Sequence, residues 1–405
     1  MQITETFQTF VLEHAEDDTS RLLLNAAQHK GIDIKLAVEQ ILARRQIKTK
    51  LPSWYSNSRI FYPSTLAAEQ CSSEQTASYK QRLIKPEDSL CDLTGGLGVD
   101  TYFFSQIVQR VTYVEQDEKY CNAARHNMKT LGASNINIIN SDAAKIVAED
   151  EKQVSGVNTF YIDPARRGTG NKRMFAICDC TPDITEMWPI MRRRQCKIIV
   201  KLSPMLDISQ VLSQLTGVNE VHVISVRNDC KELLIVADTT PPTDEQTIET
   251  EVFCTNYTSS GTEQTFKFHL SEEHSASIHF AQKANKYLYE PNSSILKAGA
   301  YKSIAKSFRI EKLHVSSHLY TSDSLTPSFP GRIFEITEII PFGSRTCKGL
   351  SARIAQANIS TRNFPLSVDE LRKRTRISDG GETYIFATTL SDNKKVLMIC
   401  RKASL

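Results

Sequence analysis

The chain has 405 residues, of which 40% are hydrophobic and 23% charged, and its formal net charge is +3. This length is enough for two or three domains, and the composition excludes an intrinsically disordered protein. We find no signal-peptide pattern and no apolar run near the length of a membrane span, which predicts a cytoplasmic protein. The ten cysteines form no CxxC pair and no His/Cys cluster at zinc spacing, so we expect reduced thiols and no metal site.

Residues 1–60 carry apolar positions at helical spacing, broken at Gly31 and closed by Leu51-Pro52, and they predict a helical N-terminal domain. Residues 61–240 contain short apolar runs that alternate with helix-length segments, which predicts a doubly wound parallel α/β sheet. Because only five residues separate the last two runs, we expect those strands to form an antiparallel pair at one edge of the sheet. The seven predicted strands are 90–93, 111–115, 136–139, 159–163, 197–202, 221–226 and 232–237.

A turn-rich linker that begins at Thr239 precedes residues 241–330, where a β-hairpin (251–257 and 265–270), a helical stretch (295–308) and a short strand (312–315) are predicted. Residues 331–405 form a fourth segment of α+β type. Its predicted order is strand 333–339, helix 347–357, strand 358–363, helix 367–375, and strands 383–389 and 395–401. This segment holds 13 Lys and Arg residues against 7 Asp and Glu residues, so the basic excess of the chain lies at its C-terminal end.

A glycine-rich turn joins the first predicted strand to a helix in the sequence CDLTGGLGVDT, residues 91–101. Gly95, Gly96 and Gly98 permit left-handed dihedrals and close approach of a ligand, and the following helix offers free N–H groups. Glu115 ends the next predicted strand about twenty residues later, where nucleotide-binding βαβ units place a carboxylate for the ribose. The turn therefore predicts a nucleotide-like cofactor.

Two cofactors fit such a turn, a dinucleotide and S-adenosylmethionine (SAM). The dinucleotide fingerprint needs a third glycine at the position of Thr101. Asp92 would repel a pyrophosphate but can hold the ammonium of SAM, directly or through water. The antiparallel edge pair is also typical of a SAM-dependent methyltransferase sheet rather than a dehydrogenase. We therefore predict SAM, with Thr94 and the three glycines in its site.

Acids lie at the ends of four successive predicted strands, at the edge where open α/β sheets bind ligands. Besides Asp92 and Glu115, they are Asp142, expected to accept a hydrogen bond from the adenine amine, and Asp163, expected where the methyl acceptor meets the sulfonium. A lone Asp or Glu at such a position, Glu115 or Asp142 for example, is more often a helix cap or a turn former. Four acids together with the glycine turn favour a cofactor site.

The segment Asp163-Pro164-Ala-Arg166-Arg167 predicts the acceptor end of the site. In methyltransferases that act on exocyclic amines, an acid or amide and the carbonyl after it accept hydrogen bonds from the amine, so we predict Asp163, Pro164 and Arg166 as catalytic. Arg166 replaces the aromatic residue that often stacks on the base in that motif. A guanidinium can stack on a base or bind a phosphate, and an Arg pair can also simply lie on a surface loop.

Lys201, near the end of the fifth predicted strand, either neutralises a phosphate or is a plain strand-end cation. Carbon methylation of pyrimidines usually needs a cysteine nucleophile near this point, and none is present. N- or O-methylation by positioning of the acceptor is therefore favoured. Residues 62–76, before the first strand, are rich in polar side chains and either close over the cofactor or lead into a capped helix over 73–82.

The motifs DLTGGLGVDT, YVEQD, DPARR, VKLSP and RNDCKELL together resemble the bacterial class I SAM-dependent methyltransferases with a C-terminal THUMP-like domain, over most of the chain. The first motif is also similar to that of guanine-N2 methyltransferases of the cap trimethylguanosine type. The resemblance implies a seven-stranded Rossmann-like sheet in residues 61–240, a ferredoxin-like piece near 285–325 and a THUMP-like module in 331–405.

THUMP domains bind RNA, so the resemblance implies tRNA or rRNA as substrate, with Arg372 and Arg374 of the basic run 371–376 among the binding residues. The acceptor motif departs from the family pattern by lacking its aromatic residue, and the module is short for a THUMP domain. Two alternatives are a methyltransferase for a small molecule or protein, with the C-terminal domain as a lid, and a non-catalytic RNA-binding protein on a methyltransferase scaffold.

Overall fold

The computed structural model describes residues 4–149, 153–166, 177–238 and 249–404. The chain divides into two compact units, the first made of Met1–Asn219 and Leu234–Ile248 and the second of Glu220–Leu233 and Glu249–Leu405. The predicted linker at 239–245 lies outside the described residues. No helix of the described ranges is long and apolar enough to cross a membrane. All ten cysteines are free thiols, and within those ranges no three His, Cys, Asp or Glu side chains are grouped as a metal site would require.

The first unit begins with helices, as predicted, because polar side chains cap successive amphipathic segments. Thr4, Asp18 and Asp33 each accept a hydrogen bond from an N–H group in the first turn of the helix that follows. Leu51-Pro52 was predicted to close the helical region, and this was wrong, because Pro52 occupies the first position of a further helix, where its fixed φ is favourable. The helices are α1 (Glu5–Glu13), α2 (Thr19–Leu24), α3 (Ile34–Ile47), α4 (Pro52–Ser56), α5 (Thr65–Gln70) and α6 (Glu74–Lys80).

The rest of the first unit is a parallel sheet with helical crossovers. The strands are β1 (Ser89–Asp92), β2 (Arg110–Glu115), β3 (Ile136–Asn140), β4 (Thr159–Ile162) and β7 (Lys197–Leu202), with a separate two-stranded ribbon of β5 (Ala165–Arg166) and β6 (Cys180–Thr181). The helices are α7 (Val99–Ser105), α8 (Glu118–Thr130), α9 (Ala143–Glu149), α10 (Ile184–Arg193) and α11 (Ile208–Gln214). All residues of β4 are buried, as expected for a strand covered on both faces.

The sheet continues through β8 (Glu220–Val226) and β9 (Asp229–Asp238), giving the order β8-β9-β7-β4-β1-β2-β3. This order confirms that the seven predicted strands lie in one sheet. A two-residue turn joins β8 to β9, with positive φ at Arg227 and Asn228, and only antiparallel neighbours can share so short a connection. The last residues of β9, from Leu234 on, belong to the first unit.

The predicted position of the β8/β9 pair at the sheet edge was wrong. The strand β10 (Glu251–Tyr257) pairs with β8 in parallel, and β11 (Glu263–His269) pairs with β10, so the sheet has nine strands. The physical reason is apolar burial: Val252 and Cys254 of β10 are buried opposite Val221 and Val223 of β8. The predicted hairpin therefore extends the sheet.

The second unit also contains a seven-stranded sheet of order β13-β14-β12-β15-β18-β17-β16. Its hydrophobic core includes a cluster with Phe334 and Phe386 and another with Leu350 and Leu371. The predicted helical stretch 295–308 is two helices, because Gly299, with φ of 73°, ends the first. The elements are α12 (Leu270–Ser275), β12 (Tyr287–Pro291), α13 (Ser293–Ala298), α14 (Tyr301–Phe308), β13 (Glu311–Lys312), β14 (Tyr320–Ser322), β15 (Gly331–Pro341), α15 (Ser344–Leu350), β16 (Asn358–Arg362), α16 (Val368–Thr375), β17 (Tyr384–Thr389) and β18 (Lys395–Lys402).

Candidate functional site

The glycine-rich turn connects β1 to α7 at the carboxyl edge of the sheet. Strand β1 ends at Asp92, and α7 begins at Val99 directly after Gly98. The N–H of Gly95 donates to the carbonyl oxygen of Val114 at 2.9 Å, and the N–H of Gly98 donates to the carbonyl oxygen of Gly95 at 2.8 Å. The first bond holds the turn against the neighbouring strand β2, and the second closes the turn on itself.

The three glycines of the turn are needed for different physical reasons. A Cβ on Gly95 would lie 2.0 Å from Cε2 of Tyr113, and a Cβ on Gly98 would lie 2.5 Å from Cε of Met128. Gly96 has φ of 53°, and a Cβ there would meet no described atom nearer than 3.8 Å. Gly95 is thus required by the ring of Tyr113 and Gly98 by its own φ of 87°, since the end of the Met128 side chain could move, whereas the space beside Gly96 is open.

Asp92 lies beneath the turn and is only 1% exposed. Its Oδ1 accepts a hydrogen bond from the N–H of Thr94 at 3.1 Å, and its Oδ2 accepts one from Oγ1 of Thr101 at 2.5 Å. Burial raises the pKa of Asp92 to about 7, although these hydrogen bonds favour the ionised form. Asp92 therefore holds the turn in shape from below.

We expect the substitution Asp92→Asn to stabilise the first unit more at pH 8 than at pH 5.5. The pKa of this carboxyl is higher in the folded than in the unfolded protein, so the stability of the wild type falls as the pH rises from about 4 to about 7. Asn does not titrate, and the difference between the two pH values should be about 2 kcal/mol.

Urea unfolding followed by tryptophan fluorescence measures this difference, because Trp54 and Trp188, the two tryptophans of the chain, both lie in the first unit. Asp117→Asn serves as the control, since Asp117 caps α8 at the surface. An advantage of Asp92→Asn that is equal at both pH values would contradict the raised pKa.

Glu115 is the last residue of β2, and Asp142 follows the end of β3. Both carboxylates accept hydrogen bonds from backbone N–H groups. Glu115 accepts from Gly96 at Oε2 (3.1 Å) and from Asp117 at Oε1 (2.9 Å). Oδ1 of Asp142 accepts hydrogen bonds from two N–H groups in the first turn of α9, at 2.8 and 3.2 Å. Asp142 therefore caps this helix, as the alternative interpretation of the sequence expected. Both side chains remain partly exposed and can accept further hydrogen bonds.

Asp163 directly follows β4, and it contacts both the glycine turn and Lys201 of β7. Its N–H donates to Oγ1 of Thr94 at 2.6 Å, which ties the end of β4 to the turn. Its Oδ2 lies 2.5 Å from Nζ of Lys201, and its side chain is 34% exposed. Burial raises the pKa of Asp163, and the ammonium of Lys201 opposes that shift. Lys201 is therefore the ion-pair partner of Asp163.

The structure describes only part of the other residues predicted at the acceptor end of the site. Pro164 is buried directly after Asp163, and the backbone of Arg166 lies in β5. The side chain of Arg166 and the whole of Arg167 lie outside the described residues.

A buried charge cluster behind Asp163 was not predicted. Lys80 of α6 is fully buried, and its Nζ lies 2.9 Å from Oδ1 of Asp100 on α7 and 2.7 Å from Oγ of Ser72. Oδ2 of Asp100 accepts from Ser72 and from the hydroxyl of Tyr161, both at 2.7 Å. Ser72 Oγ is also 3.3 Å from Nζ of Lys201, which connects this cluster to Asp163.

The signal for this cluster in the sequence was a charged residue on the inner face of a helix. Ser73 caps α6 through a capping box, which confirms the predicted capped helix, and Thr76, Ala77 and Lys80 lie on its buried side at spacings of three and four. Although burial disfavours ionisation of Asp100, the ammonium groups of Lys80 and Lys201 lower its pKa to about 2. Asp100 is therefore held as a carboxylate in the interior.

Arg372 and Arg374 lie on α16 in the second unit, and their environments differ. The guanidinium of Arg372 donates to the carbonyl oxygens of Ala357 and Ile377 and pairs with Asp379, so it is used within its own module. Arg374 is exposed. Four further basic side chains on or beside α15 and α16 are exposed as well, namely Arg345, Lys348, Lys373 and Arg376.

Three family models match parts of the chain. A model of the protein-L-isoaspartate(D-aspartate) O-methyltransferase family matches residues 28–151, a ferredoxin-like domain model matches 287–330, and a THUMP domain-like model matches 331–402. The first match ends before Asp163, so it covers the glycine turn but not the acceptor end of the site. No curated protein sequence matches the chain.

Solved structures also resemble the chain. A crystal structure described as that of a "putative methyltransferase" from Porphyromonas gingivalis W83 is 35% identical, covers 100% of both chains and superposes with a TM-score of 0.88. An rRNA methylase from Streptococcus thermophilus is 12% identical and covers 40% of this chain and 92% of its own, with a TM-score of 0.30. On the full-length match and the family models, the chain belongs to the SAM-dependent methyltransferase family that carries ferredoxin-like and THUMP-like C-terminal domains.

Proposed function

We propose that this protein uses SAM to methylate an exocyclic amine of a base in RNA, either tRNA or rRNA. The observation that carries the proposal is the hydrogen bond of 2.6 Å between the N–H of Asp163 and Oγ1 of Thr94. In this proposal Asp163 is the acid that receives the amine, and it is partly exposed directly beside the glycine turn. A methyl donor over the turn and an amine at Asp163 would therefore be neighbours.

The residues around the turn fit SAM chemically. Glu115 and Asp142 are partly exposed acceptors suited to ribose hydroxyls and to the adenine amine, and the space beside Gly96 is free of side chains. In this proposal Asp92, whose two oxygens are bonded within the turn, is a positioning residue for Thr94 and does not itself touch the cofactor. When bound, SAM supplies a methyl group activated by the adjacent sulfonium.

At the acceptor end, the chain's own groups orient the amine. Asp163 offers a carboxylate oxygen, and the backbone carbonyl of the buried Pro164 follows it. Hydrogen bonds from the two amine protons to such acceptors direct the nitrogen lone pair away from them, toward the methyl donor. Orientation of this kind can account for several kcal/mol of the barrier.

The RNA part of the proposal rests on charge and on the THUMP domain-like match. Arg345, Lys348, Lys373, Arg374 and Arg376 are exposed on or beside α15 and α16. Binding to the phosphates of a nucleic acid needs such a cluster of exposed cations and displaces counterions from the nucleic acid.

Isothermal titration of the full-length protein with SAM tests the cofactor. We expect binding by the wild type and a loss of about 10- to 100-fold in Glu115→Ala, because a charged acceptor for the ribose is removed. Glu115→Gln is the matched control, since it keeps an acceptor for the N–H of Gly96 and so should lose less. No heat of binding in the wild type would refute the proposed cofactor.

For RNA, we expect Lys373→Glu and Arg374→Glu each to weaken binding of bulk tRNA and rRNA. The slope of log affinity against log salt should become shallower by about 0.7 to 0.9 for every phosphate that the variant no longer neutralises. Filter binding over a salt series measures both effects. Lys394→Glu, in the same module but paired with Asp392 at 2.7 Å, is the control and should bind RNA as the wild type does. Affinity that does not depend on salt would refute the proposed binding to phosphates.

A further inference from the structure

The ion pair between Lys201 and Asp163 determines what the acceptor site can hold. The Nζ of Lys201 donates a hydrogen bond to Oδ2 of Asp163 at 2.5 Å. The side chain of Lys201 is only 12% exposed, whereas that of Asp163 is 34% exposed. Among the described residues, Oδ1 of Asp163 has no hydrogen-bond partner. The site thus offers an incoming group one free oxygen, Oδ1, of a carboxylate whose negative charge is paired with the ammonium of Lys201.

Lys201 is in turn held from behind. Its Nζ lies 3.3 Å from Oγ of Ser72, and the same hydroxyl group binds Nζ of Lys80 at 2.7 Å and Oδ2 of Asp100 at 2.7 Å. Among the described residues, two lysines and two aspartates from α6, α7, β7 and the end of β4 therefore form one connected cluster of opposite charges. Because Lys80 and Asp100 are buried and fixed by α6 and α7, the position of Lys201 is fixed as well.

We infer that Lys201, held by the Ser72–Lys80–Asp100 cluster, is a positioning residue that presents Asp163 as a charge-balanced acceptor and so selects an uncharged amine over an ammonium as the methyl acceptor. This inference rests on the proposed function and names a residue that would enforce its substrate class. An exocyclic amine of a base is neutral and donates one N–H to Oδ1 of Asp163. An alkyl ammonium, such as that of a lysine side chain, would place a second cation beside Lys201 and has no lone pair for attack.

The proton balance agrees with this choice. The amine nitrogen gains a methyl group and must lose one proton, and Oδ1 of Asp163 is the chain's own acceptor at that place. The raised pKa of Asp163, caused by burial and opposed by Lys201, favours proton uptake.

The test is transfer of labelled methyl groups from SAM by the full-length protein to two probes, RNA from a strain that lacks the gene and poly-L-lysine. We expect the wild type to label RNA and not poly-L-lysine. Lys201→Met should retain the Kd for SAM and lose about 100-fold in kcat on RNA, the cost of a misplaced catalytic group. Lys201→Arg should recover about tenfold of that loss, since it restores the cation.

Lys197→Met is the matched control, because Lys197 lies on the same strand and donates to the carbonyl oxygen of Leu83. It should keep the wild-type kcat. If Lys201→Met does not fold, Ser72→Ala removes the link between Lys201 and the cluster without changing charge, and its kcat on RNA should fall.

The possible failures are distinguishable. An active wild type whose kcat is unchanged by Lys201→Met, or by Ser72→Ala, overturns the inference and leaves the proposed function standing. A wild type that binds SAM but labels poly-L-lysine instead of RNA overturns both, and so does one that labels neither probe.

Discussion

Asp163→Ala should bind SAM with the wild-type Kd and lose methyl transfer to RNA by about 10²- to 10⁴-fold, the range for a positioned acid–base group. The cofactor end is expected to survive because the bond to Thr94 is made by the backbone N–H of Asp163, which alanine keeps. Transfer is lost because the acceptor oxygen for the amine is removed. Titration with SAM and labelled transfer into RNA measure the two properties separately.

Asp163→Asn is the matched control for Asp163→Ala, because it removes the charge of the side chain but not its size. It keeps an oxygen acceptor and the size of the side chain but leaves Lys201 without its carboxylate. We expect its kcat to lie between those of the wild type and Asp163→Ala. Turnover retained by Asp163→Ala would remove Asp163 from the acceptor site, whatever its effect on stability.

Lys80→Met should lower the free energy of unfolding of the first unit by about 3–5 kcal/mol, because it leaves the carboxylate of Asp100 buried without its nearest cation. Urea unfolding followed by the fluorescence of Trp54 and Trp188 reports on this unit. Adding Asp100→Leu to Lys80→Met should recover part of the loss, since a buried ion pair can be replaced by apolar groups at little cost.

Lys197→Met is again the control, since Lys197 is only partly buried and donates to a backbone carbonyl. Its effect on stability should be clearly smaller. Equal losses for Lys80→Met and Lys197→Met would mean that the buried pair contributes no more to stability than a partly exposed lysine does.

Local patterns in the sequence were sufficient to predict the sheet and the glycine turn. The strands β1, β2, β3, β4 and β7 were predicted to within one residue at each end, because each contains a short apolar run rich in β-forming residues that is bounded by polar segments. Thr101, which replaces the third glycine of a dinucleotide site, donates to Asp92 and so has a structural use of its own. The roles proposed for Glu115, Asp142 and Asp163 stay predictions.

Pairing between distant segments could not be predicted in the same way. The hairpin of β10 and β11 was predicted, but the parallel pairing of β10 with β8 was not. The alternation of apolar and polar residues shows which face of a strand is buried, but it does not show which other strand lies beside it. Similarly, Gly95 was interpreted as room for a cofactor, whereas the ring of Tyr113 occupies that side. Such contacts join residues that are far apart in the chain.

The sequence by itself determined the fold class, the turn between β1 and α7 and the acids at the strand ends, because each depends on residues close together in the chain. Only the tertiary structure decided which charges meet. Lys80, Asp100, Lys201 and Asp163 come from four elements, and their mutual distances follow from how α6 and α7 pack beside β4 and β7. The balance of charge at Asp163, and with it the kind of amine we expect there, is therefore a property of the packed sheet.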